Sequence, residues 1–126
     1  MYTIIAQAVI IQNNHVLMVR QYVQRGDIVW NFPGGGIEEN ETPKDACIRE
    51  VKEETGIEVL KLHLLYEQNK KYTFAVTEFT GQLALDKTNK DNDDIIEVQW
   101  ISLGDIEKFD DYTKPVLDRI VDLEEC

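Results

Sequence analysis

The segment from Thr42 to Gly56 constrains the fold more tightly than any other stretch of the chain. Thr42 followed by Pro43 reads as an N-cap with proline at the first helical position, where a backbone N–H would be unpaired anyway. Asp45 stands in the place of a capping-box acid, and Gly56 falls where a helix end takes a left-handed residue. The spacing therefore predicts a helix over 43–55. On it Cys47, Ile48, Val51 and Thr55 line one apolar stripe, and Glu50, Glu53 and Glu54 share a sector of about 100° beside that stripe. Glu50 and Glu54 are one turn apart, so their charges repel and push carboxylate pKa values upward unless a counterion intervenes.

The segments around this helix are strand-like. Residues 3–11 are rich in β-branched and apolar side chains, Asn13-Asn14 supplies a tight turn, and Val16 to Arg20 returns. Trp30-Asn31-Phe32 leads into Pro33 and a glycine run, Gly34 to Gly36, able to approach another group closely. Further strands are expected at 57–66, 72–80, 82–85 and 95–101, with a turn at Asn69 to Lys71. Residues 86–93 read as an exposed loop. Ser102 is expected to cap a short helix to Phe109, and Thr113 to cap a final helix reaching about Leu123. Strands with two or three interspersed helices make the chain α/β or α+β, and 126 residues suffice for a single domain, 1–126, with its own core.

A net charge of −11 argues against nucleic-acid polymers and anionic membranes, which need a basic footprint. No apolar run approaches the roughly 18 residues of a membrane span. Cys47 and Cys126 give no disulfide framework and no metal spacing, so a reducing cytoplasm is the expected location. The charge is uneven. Residues 86–126 hold 13 acids against five bases, as a solvated surface would. Residues 35–57 hold seven acids against Lys44, Arg49 and Lys52, and there the helical spacing focuses the excess onto one face. Carboxylates with an exposed glycine carbonyl form an oxygen-only donor set, suited to Mg²⁺ or Mn²⁺ and not to Zn²⁺.

Gly35, Glu41, Arg49-Glu50-Val51, Glu53-Glu54 and Gly56-Ile57, at these offsets over 23 residues, resemble the complete signature of the Nudix hydrolases. The lead-in Trp30 to Gly35 and the late segment Glu97-Val98-Gln99-Trp100 are similar to the family's too. Asn40 stands where the family most often has glycine, and Asn also tolerates positive φ. The resemblance implies an α/β/α sandwich, a mixed sheet between helices, and hydrolysis of a nucleoside diphosphate linked to another moiety. It implies Glu50 and Glu54 as principal Mg²⁺ ligands, with Mn²⁺ as a substitute, aided by Glu53 and the Gly35 carbonyl. Arg49 would hold Glu41 and orient the carboxylates. Glu53 is the first candidate for general base, and Glu97, or Asp91, Asp93 or Asp94, the second. Arg20 is a candidate for phosphate, ahead of Arg25, Lys70 and Lys71. Trp30, Phe32 and Tyr72 are candidates for stacking on a base, and Asp111 for reading its edge; Phe74 and Phe79 are assigned to packing.

The favoured substrate is a small nucleotide, a nucleoside triphosphate that is intact, oxidised or noncanonical, cleaved to monophosphate and pyrophosphate. A nucleoside diphosphate sugar, a dinucleoside polyphosphate, or a nucleotide-sensing role without catalysis are the alternatives. The sequence leaves monomer and homodimer equally open.

Overall fold

The computed structural model describes residues 3–23, 26–86 and 88–124. Eight strands and two α-helices follow in the order β1 (Ile5–Val9), β2 (Ile11–Gln12), β3 (His15–Tyr22), β4 (Ile28–Asn31), β5 (Gly34–Gly36), α1 (Pro43–Thr55), β6 (Glu58–Gln68), β7 (Lys71–Thr80), β8 (Ile95–Ser102) and α2 (Lys114–Glu124). No helix among the described residues is long and apolar enough to cross a membrane.

The strands form two sheets. One is mixed, in the order β5-β1-β7-β6, with β1 and β7 parallel and the other pairs antiparallel. In the other, β3 pairs antiparallel with β2, β4 and β8. The single apolar run expected over 3–11 is thus two strands: the chain leaves the first sheet at Val9 and enters the second at Ile11. Buried Ile10 makes the step, its carbonyl accepting from the Leu17 N–H at 3.0 Å.

Each helix closes one core. Ala46, Cys47 and Val51 of α1 pack with Ala6, Ala8 and Phe74 of the mixed sheet, and Val116, Leu117 and Ile120 of α2 pack with Val9, Val16, Met18 and Ile101. The side chains of Val121 and Leu123 on α2 lie outside those described, as does Cys126.

Local chemistry explains the boundaries. Thr42 Oγ1 accepts from the Asp45 N–H at 3.1 Å, and Gly56 closes α1 at φ 81°. Asn13 and Asn14, at φ 51° and 63°, make the two-residue turn between β2 and β3, and Asn69 and Lys70, at 53° and 61°, make the one between β6 and β7. Asn40 takes φ 67°, so the expected turn is kept without glycine.

Three expectations are corrected. Residues 82–85 are not a strand: the Ala84 N–H donates to the Thr55 carbonyl at 2.8 Å, so this segment wraps the end of α1. The helix after Ser102 is a single 3-10 turn at Ile106–Lys108, and the Ser102 hydroxyl accepts instead from the Gly104 N–H. At the start of α2 the Asp110 carboxylate takes the N–H groups of Tyr112 and Thr113, both at 2.9 Å, while Thr113 Oγ1 accepts from the Asp110 N–H at 3.0 Å. Asp110 is therefore the principal cap, with Thr113 reciprocating.

Gly34 positions everything that follows. A Cβ on it would stand 2.6 Å from Gln7 Cα and would also strike the Ala6 carbonyl oxygen, so β5 lies on β1 at a separation only glycine permits. Gly34→Ala should destabilise the protein by about 2–4 kcal/mol in urea titrations. Gly104→Ala, whose Cβ would meet nothing nearer than 3.6 Å, should cost less than about 1 kcal/mol.

Candidate active site

Arg49 is the hub of the helix's polar face. It is partly buried, and its fork takes Glu41 bidentately, Nε to Oε2 at 2.8 Å and Nη2 to Oε1 at 3.0 Å. Nη2 also donates to the Gly36 carbonyl at 3.1 Å, tying helix to glycine strand. Nη1 reaches Glu50 Oε1 at 2.8 Å and Glu53 Oε2 at 3.3 Å. The guanidinium holds the Glu41 carboxyl at about 2, helped by the Glu38 N–H, and the same contact with Glu41 raises Arg49 further above its usual range. Arg49 is thus in contact with Glu41, Glu50 and Glu53, the residues it is expected to hold and orient.

The other two carboxylates close on the glycines. A Cβ on Gly35 would stand 2.5 Å from the Glu50 carboxyl carbon, so that carboxylate lies directly over the glycine backbone. Glu54 is only 7% exposed, and its Oε1 accepts from the Gly34 N–H at 2.6 Å. Burial is the main force lifting its carboxyl from 4.5 to about 8; the Gly34 bond opposes this, and the Glu50 and Glu53 charges add to it.

Among the described residues no three Asp, Glu, His or Cys side chains already converge as a metal cage, because Glu50 and Glu53 are turned toward Arg49. The donor chemistry nevertheless fits a hard divalent cation. One guanidinium, already matched by Glu41, serves Glu50 and Glu53 as well, which leaves Glu54 buried beside like charges. Glu50, Glu53, Glu54 and the Gly35 backbone could hold such an ion with oxygen alone.

The remaining candidates lie outside α1 and β5, and of them Phe32 shares a cavity with Gly34 and Gly35. Glu97 is on β8, register partner of Arg20 on β3, and the two form a 3.8 Å ion pair, so the phosphate candidate and the second base candidate face each other. Phe32 is buried and Trp30 half-buried in the α2 core. Tyr72 packs toward α1, its hydroxyl held by Glu67 and pushed above the usual tyrosine range. These contacts make Trp30, Phe32 and Tyr72 packing residues first. Phe74 is buried and Phe79 stacks on Trp100 at 5.8 Å, as expected. Asp111 is exposed on the rim of a cavity of about 390 Å³. Asp93 and Asp94 are exposed; Arg25 and the Asp91 side chain lie outside the described residues.

Asn92 has no counterpart among the expectations. It is 1% exposed inside the loop expected to be solvated, and its Nδ2 donates to the carbonyls of Glu53 at 2.9 Å and Asp86 at 3.0 Å. It thus satisfies a carbonyl at the open end of α1 and fixes the backbone beneath Glu53. An isolated Asn in an acidic loop carries no periodic signal that would have singled it out.

A carboxyl that keeps its proton to about pH 8 when folded, but only to about pH 4.3 when unfolded, makes the folded state bind the extra proton between those values. Stability should therefore fall as pH rises from about 5 to 8 and then level. Glu54→Gln keeps the acceptor for Gly34 and removes the titration. In calorimetric scans with chelator, the variant should match the parent at pH 5 and exceed it at pH 8 by about 5 °C. Parallel curves would refute the buried, protonated carboxyl.

Comparisons with known proteins place the chain in a family and a fold. The NUDIX domain family model matches residues 1–120. The chain is 28% identical over 115 residues to the 8-oxo-dGTP diphosphatase of Buchnera aphidicola subsp. Schizaphis graminum, covering 86% of this chain and 83% of that protein. To the RNA pyrophosphohydrolase of Nitratiruptor it is 33% identical over 70 residues, 53% of this chain and 45% of that protein. To the 8-oxo-dGTP diphosphatase of Proteus vulgaris it is 56% identical over 36 residues, 29% of this chain and 32% of that protein. The crystal structure of MutT NUDIX hydrolase from Burkholderia pseudomallei superposes with a TM-score of 0.78 at 19% identity, over 94% of this chain and 97% of that one. The chain that carries this glycine strand, the Arg49 hub and the carboxylates of α1 belongs to the Nudix hydrolase family.

Proposed function

We propose that this chain hydrolyses a pyrophosphate bond in a small nucleotide with Mg²⁺, and that the substrate is a nucleoside triphosphate, intact or oxidised, yielding monophosphate and pyrophosphate. The observation that carries the reading is the buried Glu54 carboxyl against Gly34, with Glu50 over Gly35 and Glu53 beside them, acid groups crowded closely enough that all of them ionise only with a divalent partner. The 8-oxo-dGTP diphosphatases among the relatives support the substrate class. A neighbouring structure, a bifunctional NMN adenylyltransferase/ADP ribose pyrophosphatase from Francisella tularensis, is complexed with AMP and Mn ion, which supports a divalent metal.

When bound, the ion supplies charge neutralisation at the phosphates and a more acidic water. The chain supplies the rest. Glu50 and Glu54 hold their places over the glycines, and Arg49 keeps Glu50 and Glu53 from splaying. Glu53 is partly exposed at the end of α1 with its backbone fixed by Asn92, and it is the carboxylate that accepts the proton of the attacking water. Glu97, paired with Arg20 in the other sheet, is the weaker candidate for that step.

Phosphate release with added pyrophosphatase tests the reading over a panel of nucleoside triphosphates, 8-oxo-dGTP, ADP-sugars, dinucleoside polyphosphates and a 5′-triphosphate RNA. Turnover of a triphosphate that stops with chelator is expected. Glu54→Gln and Glu53→Gln should each lower kcat by about 10²–10⁴, and Glu97→Gln by less than about tenfold. Near-normal turnover by Glu54→Gln would overturn the metal site. Turnover confined to another class would replace the substrate, and binding without turnover would mark a sensor.

A further inference from the structure

Strand β1 shows two faces. Ala6 and Ala8 turn toward α1, whereas Gln7, between them, is a buried polar residue on the other side, 6% exposed. Its amide Nε2 donates at 3.0 Å to the hydroxyl of Thr73, its register partner on β7. Lys71 is two residues earlier on β7, on the same face, beside Ile5.

Two cavities meet over this pair. The smaller, about 260 Å³, reaches Gly34 and Gly35, the glycines beneath Glu54 and Glu50; the larger, about 390 Å³, is bounded by Tyr66, Thr73, Asp111 and Tyr112. The larger is within the range of small-molecule sites, about 300–1,000 Å³. Gln7 and Lys71 line both. Lys71 is partly buried, no other basic side chain lines either cavity, and among the described residues no carboxylate pairs with it. In a chain of net charge −11, a half-buried ammonium on the ridge between two cavities is the attraction available to an anion lying across them.

We propose that Lys71 is a specificity-determining residue: it binds a phosphate of a nucleotide laid across this ridge. The phosphate chain then runs toward Gly34 and Gly35, and the nucleoside occupies the Tyr66–Asp111–Tyr112 cavity. Gln7, pinned by Thr73, supplies its second amide proton or its carbonyl oxygen at the junction of phosphate and sugar. The sequence ranks Lys71 below Arg20 for phosphate, because periodicity cannot show that Arg20 is paired with Glu97 while Lys71 is left for a ligand. The proposal rests on the nucleotide reading above.

Calorimetric titration of the whole protein with AMP and GMP, and with adenosine and guanosine, tests it without turnover. Lys71→Met should weaken monophosphate binding about 10- to 100-fold and nucleoside binding less than twofold, with Lys71→Arg restoring it to within about threefold. Gln7→Leu should weaken both ligands alike, since it acts at their junction. Melting curves show that each variant is folded. On whichever triphosphate is hydrolysed, the Lys71→Met loss should fall on KM and not on kcat. Unchanged monophosphate affinity in Lys71→Met, an equal loss for nucleosides, or no monophosphate binding by the parent would overturn the proposal. Lysine-dependent binding without hydrolysis of any compound would refute the hydrolase reading alone. Hydrolysis with a KM indifferent to Lys71 would refute this one alone.

Discussion

The contact between glycine backbone and carboxylate is the constraint on which the rest depends. Strand β5 is a run of three glycines. It lies against β1 so closely that no Cβ fits on Gly34, and Gly35 passes directly beneath the Glu50 carboxylate. The same backbone donates the Gly34 N–H to Glu54 and offers the Gly36 carbonyl to Arg49. Sheet and helix are thus joined by polar contacts as well as by the Ala6–Cys47–Val51 core. The helix cannot rotate or slide without breaking them, so its carboxylates are held at fixed positions over the glycines.

Arg49 makes that arrangement tolerable in electrostatic terms. One planar fork serves Glu41, Glu50, Glu53 and the Gly36 carbonyl, which a lysine's point charge could not do with the same geometry. The compensation is partial by construction. Glu54 lies inside the packed face, where burial and its neighbours keep it protonated, so it ionises at neutral pH only if a cation is placed beside it. The carboxylates of α1 and the glycine backbone thus make an oxygen-only cluster that a single guanidinium serves only in part.

Much of this was legible in the sequence, for identifiable reasons. Helix α1 was marked at both ends by residues whose roles are local, Thr42-Pro43 and Gly56, and its three glutamates lie where helical spacing places them. Asn13-Asn14 and Asn40 were readable because few other residues accept positive φ. What escaped depends on partners that periodicity does not reveal, two of them distant in sequence and one local. Residues 82–85 look like a strand by composition but bond the end of α1; Asn92 is chosen by the carbonyls it meets; and Asp110 outcompetes Thr113 because its carboxylate reaches two N–H groups. Gln7 did leave a trace, as the single polar residue in an otherwise apolar run. Only the pairing of β1 with β7 shows that it faces a cavity and not the α1 core.

The change of sheet at Ile10 has a mechanical consequence. One uninterrupted segment supplies β1 at the heart of the mixed sheet and then β2 at the side of β3 in the other. Pulling β1 out of register would drag its neighbour with it, and the side chains of Val9 and Ile10, one in each core, would have to surface together. The two layers are therefore coupled at this step, through the adjacent side chains of Val9 and Ile10. The glycine strand pairs with β1 and both cavities are lined by it, so a shift of β1 at the glycines is passed through the Val9–Ile10 step to the packing of the second core.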